Sequence, residues 1–219
     1  SIEFRGADGL YINGKPFGDK LMGVNRHQDY AYIGNAVPNN LHWLDVKKMR
    51  DAGFRIIRSA HYPQDPAFMD ACDELGMFII VATPGWQYWN PEPVFEERIL
   101  SDIRNMVRRD RNHPSVLLWE PVLNETAFPE SFAQNAYRAT HEEYPAPGCY
   151  AAIDDKSKGA MGYDVVYTAP KNEAFYRNAG KSCFTREYGD CVDDWNSHNS
   201  YSRVAREWGE EPQIRQAQH

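Results

Sequence analysis

The chain opens SIEFRGADGL, with no basic flank and no apolar centre. It does not read as a signal peptide, and export and a cytoplasmic location both stay open. No apolar run approaches the length that spans a bilayer, so no membrane partner is expected. Positive charge is in deficit. Lys and Arg number 24 against 31 Asp and Glu, a formal net charge of -7. Such a chain is a poor candidate for binding nucleic acid. Cysteine is sparse: Cys72, Cys149, Cys183 and Cys191 show no C-x-x-C spacing. They read as scattered small core residues rather than a zinc site or a disulfide frame. No Gly-rich phosphate loop follows the first buried strand, which argues against a dinucleotide fold. Aromatic residues, in contrast, are plentiful at 13%, with six Trp.

The 219 residues suffice for one sizeable core. Short apolar runs alternate with segments of helical spacing. Ile2 to Arg5 and Leu10 to Ile12 read as a small hairpin turning at Ala7-Asp8-Gly9, with Asn13-Gly14 as a second turn. Seven buried strands are expected after it, at Leu21–Val24, Phe54–Arg58, Met77–Val81, Val116–Trp119, Tyr150–Ile153, Val165–Tyr167 and Cys183–Glu187. Helices are expected over Leu41–Ala52, Pro66–Leu75, Phe95–Arg109, Phe132–Glu143 and Tyr201–Gln218. The first carries a stripe of Leu41, Leu44, Met49 and Ala52, with Asn39 or Asn40 as its cap. Pro66 opens the second helix and Gly76 closes it. Strands alternating with helices imply a parallel sheet. Seven of them, with polar and aromatic residues gathered after their ends, favour an α/β fold of the TIM (β/α)8 type over a doubly wound sheet. Residues 1–17 form a lead-in and 18–219 the barrel domain.

Chemistry gathers at the strand ends. Asn25, His27 and Asp29 follow the first strand, and Arg58, His61 and Tyr62 the second. Trp86 and Trp89 follow the third, Asn124 and Glu125 the fourth, and Arg186, Glu187 and Tyr188 lie at the seventh. Two glutamates among Asn, His, Arg and Trp are the equipment of glycoside hydrolysis. One carboxylic acid protonates the leaving oxygen; the other attacks or stabilises the anomeric carbon. Each residue also has a plainer role open to it. Glu125 alone fits a solvated loop, and Glu120 competes with it as the acid. Arg58 fits a structural partner of Glu187, Trp119 fits the core, and His113 and Asp110 fit ties of a helix-to-strand turn.

The motifs LYINGKP (Leu10 to Pro16), GVNRHQD (Gly23 to Asp29), IIRSAHYPQDP (Ile56 to Pro66) and DELGM (Asp73 to Met77) come in that order. They are followed by RRDRNHPSVLLW, LNE, HEEYP and REYGD, ending at Asp190. In this order they resemble the catalytic barrel of glycoside hydrolase family two, the β-galactosidase, β-glucuronidase and β-mannosidase group. The resemblance implies a retaining exo-β-glycosidase acting on terminal β-linked sugars, β-galactosides or β-glucuronides first. It makes Glu125 the acid/base and Glu187 the nucleophile. It also implies that Asn124 holds the 2-hydroxyl, with Arg58, His61, His27, Asp29, Trp86 and Tyr188 around the sugar. An endo-acting retaining glycanase and a barrel that only binds carbohydrate are the alternatives.

The chain departs from the family pattern in three places. Trp119 to Glu125 is one residue longer than usual, which a bulge at Pro121 would absorb. Val81-Ala82-Thr83 replaces an acidic pair near which some relatives hold magnesium, so no metal and no cofactor is expected. Gln28 stands where an acidic residue is common, so the subsite is expected to differ. Finally, 18–219 is shorter than the roughly 250 residues of a typical barrel, and an eighth strand is not found. The barrel therefore reads as truncated after its seventh βα unit. The expectation is a piece of a longer polypeptide that also carries β-sandwich domains. Alone it is expected to be inactive and either aggregation-prone or paired through the open edge into an oligomer.

Overall fold

A computed structural model describes residues 1–187. The chain divides into two compact units, Ser1–Phe184 and Thr185–His219. Tyr188, Cys191 and the helix expected over Tyr201–Gln218 lie outside the described residues.

The first unit opens with β1 (Ile2–Phe4) and β2 (Leu10–Ile12), antiparallel and in register Ile2 with Ile12. A two-residue strand, β3 (Lys15–Pro16), extends the hairpin to three strands. Asn13 and Gly14 make that second turn possible: both have positive φ, 51° and 74°, the backbone of a tight hairpin that favours Asn-Gly.

Seven parallel strands follow: β4 (Gly23–Arg26), β5 (Ile56–Ser59), β6 (Phe78–Ala82), β7 (Val116–Glu120), β8 (Ala152–Asp154), β9 (Val165–Tyr167) and β10 (Ser182–Phe184). They pair in chain order as β4-β5-β6-β7 and β8-β9-β10. A parallel bridge between Trp119 and Ala151 joins the two sets. Strands paired consecutively in parallel, with helices between most of them, form the wall of a TIM-type barrel. The helices are α1 (Asn39–Asp51), α2 (Pro66–Leu75), α3 (Pro93–Asp110), α4 (Glu130–Glu143) and the short α5 (Glu173–Asn178).

Several expected boundaries move. β4 and β5 begin two residues later than their apolar runs, because pairing rather than hydropathy sets the ladder: Gly23 faces Ile56 and Asn25 faces Arg58. β10 stops at Phe184 instead of Glu187, since its partner β9 is three residues long and ends at Tyr167. α1 is not capped by Asn39 or Asn40. Both lie inside the helix, and Pro38 occupies the cap without a side-chain bond. Its buried residues are His42 and Val46, while Leu44 is exposed. α2 follows its sequence signals: Pro66 takes the first position and Gly76 ends it with left-handed backbone. The structure adds a cap, Asp65, which accepts from Ala67 N at 2.8 Å.

Side chains alternate across the sheet. Ile57, Ile79, Val81 and Trp119 face the helices and pack with Val46, Phe68, Met69, Cys72, Met106 and Val107. Ile56, Ile80, Leu118, Val165 and Tyr167 share the opposite, inner face. The lead-in sheet adds Ile2, Phe4, Leu10 and Ile12 to that inner cluster. One irregularity breaks the count: Ile79 faces Val116 but Ile80 faces Leu118, leaving Leu117 as an extra residue on β7. This bulge at Leu117 precedes Trp119; β7 ends at Glu120, so Pro121 lies beyond the strand and the bulge expected there is not part of the ladder.

Gly23 has no room for a side chain. A Cβ there would lie 2.5 Å from both the Cγ2 and the carbonyl oxygen of Ile56. Gly23→Ala is expected to cost about 1–3 kcal/mol by forcing β4 from β5. Gly18→Ala, with nothing within 4 Å, should stay within about 0.5 kcal/mol of wild type. Urea unfolding of both variants checks the difference; equal midpoints would show that β4 yields freely.

Candidate active site

The register shift at Leu117 decides which β7 side chains point inward. Val116 faces the helix layer with Ile79; one residue is then skipped, and Leu118 and Glu120 face inside with Ile80 and Ala82. Glu120 thereby meets Arg58, the inward residue after Ile56 on β5. Arg58 Nε donates to Glu120 Oε2 at 2.7 Å and Nη2 to Oε1 at 2.5 Å. Each is only 3% exposed. Tyr167, the last inward residue of β9, donates its hydroxyl to Glu120 Oε2 at 3.2 Å.

The same guanidinium reaches up to the strand ends. Its Nη2 donates to Asn124 Oδ1 at 3.2 Å and Nη1 to Asn25 Oδ1 at 3.3 Å. An arginine can only donate, so the Asn124 oxygen must face it and the amide nitrogen must face away. That nitrogen lies 3.4 Å from His61 Nε2, the approach of an amide donor to a ring nitrogen without its proton. Asn124 is buried and locked from two sides.

Beyond β7, Pro121 to Leu123 leave the sheet, and Asn124 is held by the loop after β6. Trp86 forms a parallel bridge with Asn124, and Gln87 N donates to Asn124 O at 3.0 Å. Gly85 permits this approach. Its φ is 118°, and its Cα side packs against Leu123, where a Cβ would stand 3.2 Å from Cδ2. Glu125 has φ 49° and Gln87 φ 57°. Gln87 Nε2 donates to Glu125 Oε2 at 2.7 Å, and both side chains are exposed.

The other expected residues divide. The His61 ring lies 5.6 Å from Trp86 and 5.6 Å from His27, so β4, β5 and β6 place these three rings together. Trp86 is 45% exposed. Trp89 packs instead between Phe95 of α3 and Phe132 of α4 and belongs to the core cluster those helices form with Ile99 and Ile103. Asp29 is exposed, on the loop that carries His27. Trp119 is buried in the helix-side core. Glu187 belongs to the second unit, where Arg186 Nη1 pairs with its Oε1 at 2.5 Å. Gln28 braces two loops: Oε1 accepts from Asp65 N at 2.8 Å, and Nε2 donates to Asn35 O at 3.1 Å. A carboxylate could not make the second bond.

Sequence reasoning missed Gln87 and Tyr167. Tyr167 carried a signal in hindsight, as the inward residue at the end of an alternating strand. Gln87, a polar residue between aromatic neighbours, carried none.

A buried Arg–carboxylate pair beneath an Asn-Glu step at a parallel strand end, with a half-open tryptophan beside it, suits a polyhydroxylated ligand. The family model for glycosyl hydrolases family 2, TIM barrel domain, matches residues 2–146. The chain belongs to glycosyl hydrolases family 2. The β-galactosidase of Thermoanaerobacterium thermosulfurigenes is 39% identical over 140 residues, covering 63% of this chain and 19% of that protein. The β-galactosidase of Thermoanaerobacter pseudethanolicus is 34% identical over 143 residues, covering 65% and 19%. This chain thus spans about a fifth of their length. In three dimensions it is similar to the Bacteroides uniformis β-glucuronidase, with a TM-score of 0.72 and 24% identity over 88% of this chain and 27% of that one. That likeness establishes the TIM-barrel fold.

The inner ion pair yields a test. Glu120→Leu leaves a buried guanidinium without its carboxylate and should cost about 3–5 kcal/mol. The double variant Arg58→Met/Glu120→Leu should recover most of that loss, because it removes both charges together. Urea midpoints of the two singles and the double decide it. A double variant as unstable as the sum of the singles would mean that the charges are not coupled.

Proposed function

We propose that the domain hydrolyses terminal β-linked sugars as a retaining exo-β-glycosidase, with Glu125 as acid/base and Glu187 as nucleophile. The observation that carries this reading is the Asn124–Glu125 step. Asn124 is buried and fixed between Arg58 and His61, and the next residue, Glu125, is exposed at the strand end. One residue is immobilised to read a hydroxyl while its neighbour is left accessible to exchange a proton. The name of two similar relatives, β-galactosidase, supports the substrate class, and β-galactosides or β-glucuronides are the first candidates.

In the first step the Glu187 carboxylate attacks the anomeric carbon. The bond to the leaving oxygen breaks, and Glu125 delivers its proton there. In the second step Glu125 removes a proton from water, the water oxygen bonds to the anomeric carbon, and Glu187 leaves as a carboxylate. Asn124 Nδ2 is the group to donate to or approach the 2-hydroxyl; Arg58 acts beneath it by holding the amide. His27, His61, Asp29 and Tyr188 complete the subsite in this proposal, and Trp86 offers the apolar sugar face a platform. Residues 18–219 are the catalytic segment and 1–17 its lead-in. β-Sandwich domains of the same polypeptide, and assembly into an oligomer, belong to the proposal as well.

Two measurements test the roles. NMR of the first-formed sugar should show the β-anomer; an α-product would mean inversion and remove Glu187 as nucleophile. Glu187→Gln should abolish turnover of every glycoside. Glu125→Gln should spare the first step for a dinitrophenyl glycoside, whose leaving group needs no proton. Equal losses in both variants on that substrate would refute the assignment.

A further inference from the structure

We propose that Gln87 is a positioning residue for Glu125, a neutral amide that aims the carboxyl group while leaving it able to gain and lose a proton. This rests on the reading of Glu125 as acid/base.

The geometry has two independent parts. The side chains are joined directly, Gln87 Nε2 to Glu125 Oε2 at 2.7 Å. The backbones beneath them are joined separately, by the Trp86–Asn124 bridge and the Gln87 N to Asn124 O bond of 3.0 Å. Gly85 N also donates to His61 O at 3.2 Å, tying the base of the loop to the end of β5. Gln87 therefore does not reach Glu125 from a distant flexible segment. It is carried on a ladder rung that continues the β6–β7 pairing beyond the sheet.

Both residues also adopt left-handed backbone, which side chains other than glycine rarely occupy. Two such residues, each directly following a member of the bridged pair Trp86 and Asn124, are a local strain held by the surrounding structure, a pattern that gathers at functional sites. The backbone at Glu125 turns its side chain out of the strand direction, and the amide of Gln87 meets it there.

The choice of an amide has a chemical reason. An acid/base group must be held in both protonation states. Lys or Arg at position 87 would only donate, and would hold the carboxylate ionised. An Asp or Glu there would repel it or compete for its proton. A glutamine donates N–H to the carboxylate and, turned over, offers its carbonyl oxygen to the carboxylic acid. It fixes position without fixing charge. Small errors in the position of a proton donor cost large factors in rate, so the effect of losing Gln87 should fall on the step that needs the proton.

The test compares Gln87→Met and Gln87→Ala in the full-length polypeptide, on methyl and 2,4-dinitrophenyl β-galactosides, or β-glucuronides if those are the substrates. kcat/KM should fall on the order of 10- to 100-fold more for the methyl glycoside than for the dinitrophenyl one. Most of the loss should be in kcat, and the thermal midpoints should match wild type. Glu125→Gln runs in parallel on the same pair. If Glu125→Gln discriminates between the leaving groups but both Gln87 variants lose the two substrates equally, Gln87 is structural and the inference is overturned while Glu125 keeps its role. If Glu125→Gln itself shows no discrimination, the reading of Glu125 fails and this inference falls with it.

Discussion

Arg58 and Glu120 put two opposite charges inside a parallel sheet whose inward residues include Ile56, Ile80, Leu118 and Val165. A charge among such neighbours is tolerable only with a partner at hydrogen-bond distance. Here the pair is two-pronged, and Tyr167 adds a third bond from across the interior. Such a pair is not by itself a source of stability, since both groups give up water to form it. Its value lies in geometry. The guanidinium is fixed from below by Glu120, so its remaining nitrogens can orient Asn25 and Asn124 above.

The interior is thus layered. The lead-in sheet supplies Ile2, Phe4, Leu10 and Ile12 to the apolar layer. The ion pair lies beyond it, and the amides and imidazoles of Asn124, His61 and His27 lie at the strand ends. The order follows the strands: on β5, Ile56 precedes Arg58 by two residues, and on β7, Leu118 precedes Glu120 by two. Apolar packing comes first in each strand and polar function last, so the site stands on a closely packed base while its outermost groups remain in contact with solvent.

The loop after β6 shows how a turn can be as firm as a strand. Gly85 supplies the positive φ, Trp86 continues the parallel pairing, and Gln87 engages both the backbone and the side chain of the next segment. The aromatic residues of PGWQYW then divide their work. Trp89 anchors the loop in the α3–α4 core against Phe132, and Trp86 stays half open beside His61.

Local sequence sufficed for the alternation of strands and helices, the start of α2 at Pro66 and its end at Gly76, and the position of Asn124 and Glu125 just past a buried strand. These depend on local periodicity and on backbone preferences that each residue carries with it. It also carried the order of motifs that marks the family. Tertiary structure alone decided which side chains meet. Whether Glu120 faces Arg58 or the helices turns on one unpaired residue, Leu117, because side-chain facing alternates with every residue and a single insertion reverses it. That register is set by pairing with β6, and the contacts that depend on it join residues far apart in the chain, 38 residues between Gln87 and Glu125 and 62 between Arg58 and Glu120. No local pattern encodes such separations. They arise when neighbouring strands settle on a common pairing, and the partners of Arg58, Gln87 and Tyr167 follow from it.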